Sequence, residues 1–271
     1  MTVPPEIREH CLRARASART DGLVPALTLL VRALSPEAPP RGPRGHAVLP
    51  RELLEEFAAE EAKEAAEAAA REAASEHVPV TEIPATPTTG TPSAPSAPEA
   101  SRPAAAADDG GPLAGLAVLR PEDGGARGAA DAAPPAWGWA LAWLRLGMSE
   151  RLRDACLAHL AARQSEGTSL LMQQMVKGTL ADVLLEHLEI EGVLDDLGTG
   201  RTGPLGPLRP AADDRHLAGL QEQITRTDRA LLRLLGAYGF TAEGPGAGAH
   251  ASELLADAYG AAGPGTGRED A

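Results

Sequence analysis

Aromatic side chains are scarce: the 271 residues hold two Phe, two Tyr and three Trp. Most of the 43% apolar content is therefore aliphatic, and much of it is alanine. Alanine buries little area at ~25 cal/mol per Å², so the chain has material for one compact core. Basic residues are also few, 25 Lys and Arg against 38 Asp and Glu for a net charge of −13, and they never cluster. Nucleic-acid binding through counterion release is thereby disfavoured. Cys11 and Cys156 are the two cysteines, without Cys-x-x-Cys or Cys/His ligand spacing, which points to free thiols in a reducing compartment and to no metal centre. Long apolar runs are missing. Leu23 to Leu34 is the most apolar stretch and contains Pro25 and Arg32, well under the ~20 residues that span a bilayer. The first residues lack a basic segment followed by an apolar one, so a signal peptide is not expected. Together these readings predict a soluble, cytoplasmic protein without membrane or nucleic-acid partners.

Glycine and proline, by contrast, are plentiful at 29 and 24 residues, too many for a chain folded throughout. They divide it. Residues 1–35 read as a short helical hairpin, Glu6 to Arg19 and then Asp21 to Leu34, the latter with Leu23, Leu27, Leu30 and Leu34 on one stripe. This hairpin packs locally, or docks on the later helices or on a partner. Residues 36–49 are a Pro-rich loop, and 50–77 a Glu/Ala helix supported by Glu60 with Lys63 and Glu67 with Arg71. Only Leu53, Leu54 and Phe57 give that helix anything to bury or to offer a partner, so it reads as solvated. Residues 78–135 form a Pro/Ala-rich disordered linker, in which Leu113 to Leu119 is one isolated strand or docking element. Residues 261–271 are a disordered tail.

The organising region is 136–260. A first helix from about Trp139 to Arg163 repeats Leu141, Leu144, Met148, Leu152, Ala155 and His159. Gly147 inside it costs up to about 1 kcal/mol against Ala, which signals another backbone at close range. Thr168 or Ser169 caps the next helix. That helix, about Leu170 to Leu197, carries Val176, Leu180, Val183, Ile190 and Leu194, widened by Leu184 and Leu188, with His187 as a hydrogen-bonded core histidine. Gly198-Thr199-Gly200-Arg201-Thr202-Gly203 matches Gly-x-Gly-x-x-Gly formally, but no strand precedes it and Pro204 follows, so it reads as a loop. A third helix, Asp213 to Leu235, buries Leu217, Leu220, Ile224, Leu231 and Leu235, and a short fourth spans Ala251 to Tyr259. The fold class expected is all-α: an antiparallel four-helix bundle preceded by a largely disordered N-terminal half with a solvated acidic helix.

Four landmarks in this region are shared with a known family. They are Gly147, Ala155 and Arg163-Gln164-Ser165-Glu166-Gly167; then Gln174-Met175-Val176 with Leu180-Ala181-Asp182-Val183; then Gly236-Ala237-Tyr238-Gly239-Phe240; and Glu253 to Asp257. In order and spacing they resemble the C-terminal helical domain of the acyl-CoA dehydrogenases, flavoenzymes that desaturate acyl thioesters. The resemblance implies FAD as cofactor, held at the interface with a neighbouring subunit, and assigns Arg163, Arg233 and Gly236 to it. It also implies oligomerisation, either self-association or pairing with a full-length acyl-CoA dehydrogenase homologue. Departures from the family pattern are specific. Ser165 and Glu166 replace Gln and Phe, Arg233 replaces Gln, Ala237 replaces a second Gly, and both arginines of the last landmark are gone. The family's usual catalytic Glu, beyond the fourth helix, has no counterpart, and the place that some relatives give the base on the first bundle helix falls near Ala136 to Trp137, Glu150 being too near Arg163 in sequence to take it. The reading that follows is a non-catalytic partner subunit of a heteromeric flavin-dependent acyl thioester dehydrogenase. An active FAD-dependent oxidoreductase and a scaffold bundle are the alternatives, and whether the chain is itself an enzyme is left open at this point.

Overall fold

A computed structural model of the chain describes residues 3–75, 115–120, 132–199, 214–241 and 244–260. Most of the Pro/Ala linker, the loop from Gly200 onwards and the tail lie outside these residues. The described residues are mostly helical, in seven α-helices. These are α1 (Pro5–Thr20), α2 (Leu23–Leu34), α3 (Arg51–Ser75), α4 (Trp137–Ala162), α5 (Gln174–Thr199), α6 (Asp214–Leu235) and α7 (Gly246–Tyr259).

The fold is arranged around α4. From Trp139 to Glu150 every residue is buried, the condition of a helix covered on all sides. α1, α2, α5, α6 and α7 all pack against it. Trp137, Trp139, Leu141, Trp143, Leu144 and Leu146 supply the area, which places all three tryptophans of the chain on this one element. The indole of Trp139 donates to the Leu194 carbonyl at 3.0 Å and so ties α4 to the end of α5.

The closest approach comes from α1. Its buried residues Cys11, Ala14, Ser17 and Ala18 are small and share one face, which lets the two backbones meet. A Cβ placed on Gly147 would lie 2.2 Å from the Arg15 carbonyl oxygen and 3.0 Å from the Ala18 Cβ. The backbone signalled by Gly147 is therefore that of α1. The N-terminal hairpin is part of the main core and not a local satellite: α2 adds Leu23, Ala26, Leu27, Leu30 and Val31 to the same apolar cluster.

The sequence reading is corrected in three further places. Residues 36–49 are not all loop, because Ala47–Pro50 forms β1, which pairs antiparallel with β2 (Leu116–Leu119) from Ala47↔Leu119 to Pro50↔Leu116. The isolated strand expected near 113–119 thus finds a partner far away in sequence. Second, Leu53 is buried and Leu54 and Phe57 pack partly against the core, so this end of α3 is used internally; residues 58–71 are exposed, with the Glu60–Lys63 and Glu67–Arg71 pairs formed. Third, Leu184 and Leu188 do not widen the buried stripe of α5. They are 47% and 56% exposed, because no described element covers that side of the helix.

α7 begins five residues before the expected Ala251 and ends at Tyr259. The Tyr259 hydroxyl donates to the Val48 carbonyl at 3.1 Å and accepts from the Val48 amide at 3.0 Å, fastening the last helix to β1. A second, smaller apolar cluster fills the other end of α4, from Leu152, Cys156 and Leu160 with Val183, Leu231 and Leu235. Both cysteines are free and buried, and no described helix is long and apolar enough to cross a membrane.

Gly147→Ala separates packing from propensity. Propensity alone would stabilise an interior helix position by about 1 kcal/mol, whereas overpacking costs about 1–3 kcal/mol. The contact with Arg15 predicts the second outcome, a loss of stability in urea denaturation; a gain would show that the α1–α4 approach is looser than described.

Candidate functional site

The end of α6 and the start of α7 enclose a cleft. Gly236 has φ +57°, a left-handed conformation that glycine adopts without strain, and it turns the chain out of α6 into a 3-10 turn, Gly236–Phe240. A Cβ on Gly246 would lie 2.0 Å from the Gly239 oxygen, so α7 starts flush against this turn. Tyr238 of the turn stacks on His159 of α4, ring centroids 4.1 Å apart and planes 2° from parallel. The cleft so formed has a volume of about 660 Å³ and is lined by Asp228, Leu232, Arg233, Gly236, Phe240, His250 and Glu253 among others.

Two of the three residues assigned to cofactor binding meet here, Arg233 and Gly236. Arg233 is exposed and makes no hydrogen bond or ion pair among the described residues. Arg229, by contrast, is paired with Glu253 across the α6–α7 junction. Arg163 is not in the cleft. It is the exposed residue that ends α4, one turn beyond the His159 that stacks on Tyr238, and its carbonyl accepts the Leu170 amide at 2.9 Å. The residues after it form a two-residue hairpin, Gln164↔Ser169 and Ser165↔Thr168. Glu166 and Gly167 occupy its corner with φ of +53° and +79°, the pattern of a type I′ turn. Ser169 caps the following short helix, accepting from the Leu171 amide at 3.3 Å.

The floor of the cleft was not foreseen. Asp228 is 4% exposed, and its Oδ1 has no hydrogen-bond partner among the described residues. Burial pushes its carboxyl up to about 7, against the opposing pull of the Ser149 hydroxyl and the Arg145 charge. Ser149 also lies 2.9 Å from His187 Nε2, and Arg153 lies 3.3 Å from His187 Nδ1. An arginine can only donate, so Nδ1 accepts, Nε2 carries the proton and donates to Ser149, and Ser149 donates to Asp228. Burial, followed by the Arg153 charge, holds His187 down to about 4. In this tautomer His187 donates to Ser149 and does not take its proton, unlike the base of a serine–histidine pair.

Two other buried polar groups belong to the same frame. Arg145, fully buried, donates to Ser252 and Thr225, both at 2.8 Å, and to Gln221; burial lowers it to about 10. Glu150 accepts both ends of Arg15, at 2.7 and 3.1 Å, and Arg15 also reaches Glu191 and lies over Trp143, 5.3 Å from the ring centroid. A carboxylate held in this way is not free to act as a general base. Among the described residues no group of His, Cys, Asp and Glu is placed to hold a metal ion. The sequence did carry a signal for Asp228: between Ile224 and Leu231 the buried stripe of α6 passes through Thr227 and Asp228.

Comparison with protein-family models, with curated proteins and with solved structures finds no match.

The raised Asp228 and the lowered His187 have opposite linkage. Asp228 binds its proton more tightly in the folded state, so its contribution is fully present below its ordinary pKa near 3.8 and is lost as pH rises through about 7. His187 binds its proton less tightly, so its contribution is present above 6.5 and is lost as pH falls towards 4. The two largely offset between these limits. Asp228→Asn should therefore unmask stability that rises with pH over this window, and His187→Gln stability that falls with it, each read by urea denaturation at several pH values. Parallel profiles for the two variants would refute the assignment.

Proposed function

We propose that the chain is a non-catalytic partner subunit of a flavin-dependent acyl thioester dehydrogenase. In this reading α4 to α7 are an antiparallel bundle of the acyl-CoA dehydrogenase C-terminal kind, with α1 and α2 packed on its first helix. The observation that carries it is the outward-facing end of the molecule. Arg233, without a partner among the described residues, opens away from the core beside Phe240, which is 75% exposed, and Arg163 stands on the same end of α4.

FAD fits this surface at one edge only. The Arg163 and Arg233 guanidinium groups suit a diphosphate, whereas Asp228 and Glu253 on the cleft floor and Glu166 on the hairpin would oppose it. Such a surface supports a cofactor seated mainly in another subunit, with this chain neutralising part of its charge. FAD, when bound there, would accept a hydride from the acyl chain; this chain's residues would hold and orient the phosphate side. Asp228 is the buried carboxylate of this cleft, its charge favoured by the Ser149 hydroxyl, and nothing among the described residues aligns it with a second reacting group.

Co-expression with a full-length acyl-CoA dehydrogenase homologue from the same genome is expected to give a yellow complex, while the chain purified alone is colourless. Arg163→Ala and Arg233→Ala should each weaken flavin retention by the complex about tenfold or more, the loss expected for a hydrogen bond to a charged group. A flavin band in the isolated chain, or no complex with the homologue, would defeat the proposal.

A further inference from the structure

α5 has two apolar sides. Val183, His187, Ile190 and Leu194 face the core. On another face stand Gly178, Ala181, Leu185, Leu188 and Gly192, with Leu184 at its edge. Leu185 is 64% exposed and Leu184 and Leu188 about half exposed, and a Cβ on Gly178 or Gly192 would meet nothing within 4 Å. We infer that this face pairs with the same face of a second copy of the chain, the two α5 helices running antiparallel and crossing near Leu184 and Leu185.

Two features select this occupant. The face is self-complementary about its centre, as a two-fold interface requires. Gly178 and Gly192 stand seven residues either side of Leu185, and an antiparallel crossing sets small Ala181 against large Leu188, Leu184 against Leu185, and glycines near both ends where the backbones can approach. Charge gives the direction. Lys177 is the one cation of α5 and lies near its start, whereas Glu186, Glu189, Glu191, Asp195 and Asp196 follow towards its end. Antiparallel pairing brings Lys177 to Glu191 and Asp195 of the second copy, while parallel pairing would oppose like charges along the whole length. Two of the acids at this rim are paired with cations in their own chain, Glu191 with Arg15 and Asp195 with Arg8, while Glu186 and Glu189 keep their charge and accept from the uncharged Gln223 amide. Asp182, exposed on α5, would lie near Glu189 of the other copy. This inference is independent of the flavin reading, since it concerns the isolated chain.

Sedimentation velocity of the purified full chain is expected to show a dimer. Leu185→Glu with Leu188→Glu should convert it to a monomer without changing its circular dichroism, because both side chains lie outside the core. Asp182→Asn should tighten the dimer. Geometry is tested by cysteine pairing, with native Cys11 and Cys156 buried and therefore silent. Leu185→Cys should form a covalent dimer on mild oxidation. Lys177→Cys and Gly192→Cys should each stay monomeric alone, but crosslink when mixed. A wild-type monomer at every concentration, a dimer unaffected by the double glutamate variant, or self-crosslinking of Lys177→Cys equal to that of Leu185→Cys would overturn the inference.

Discussion

A helix buried on every side has nowhere to hydrate its polar side chains, and α4 carries three of them, Arg145, Ser149 and Glu150, inside its buried stretch. Each must be satisfied from another element, because an unpaired buried polar group costs about 1–3 kcal/mol and a charge costs more. The partners come from every side. Arg15 of α1 takes Glu150, His187 of α5 and Asp228 of α6 take Ser149, and Gln221, Thr225 and Ser252 of α6 and α7 take Arg145. The apolar residues of α4 draw helices around it. Its polar residues then fix how each one must be rotated and in what register it sits.

Such pairs are poor sources of net stability, since desolvation offsets much of their attraction. Their effect here is on which arrangement is reached. If α1 slid by one turn it would carry Arg15 away from Glu150 and Glu191 and remove the small residues from Gly147. The ion pair and the glycine contact therefore demand the same placement, one by charge and the other by shape.

Much of this was legible from the sequence. Gly147 announced a close backbone and His187 a hydrogen-bonded core position. What periodicity could not supply was the identity of neighbours distant along the chain. The stretch of α4 was read as one apolar face because its covering partner, α1, is over a hundred residues away. Leu184 and Leu188 were read as buried because a leucine records its own character and not whether anything lies opposite. The cleft was half visible for a similar reason: Arg233 and Gly236 are near in sequence, whereas His250 arrives from another element and Asp228 looked like an interruption in a stripe.

The clasp between α1 and α4 also orders events during synthesis. α1 leaves the ribosome before α4, yet its face of Cys11, Ala14, Ser17 and Ala18 and the charge of Arg15 are matched by residues made well over a hundred positions later. Non-local contacts of this kind slow folding, because a long loop must close before they form. Until α4 emerges, the hairpin can only wait, and the Pro/Ala-rich stretch translated in the interval separates it from the helix that will complete it.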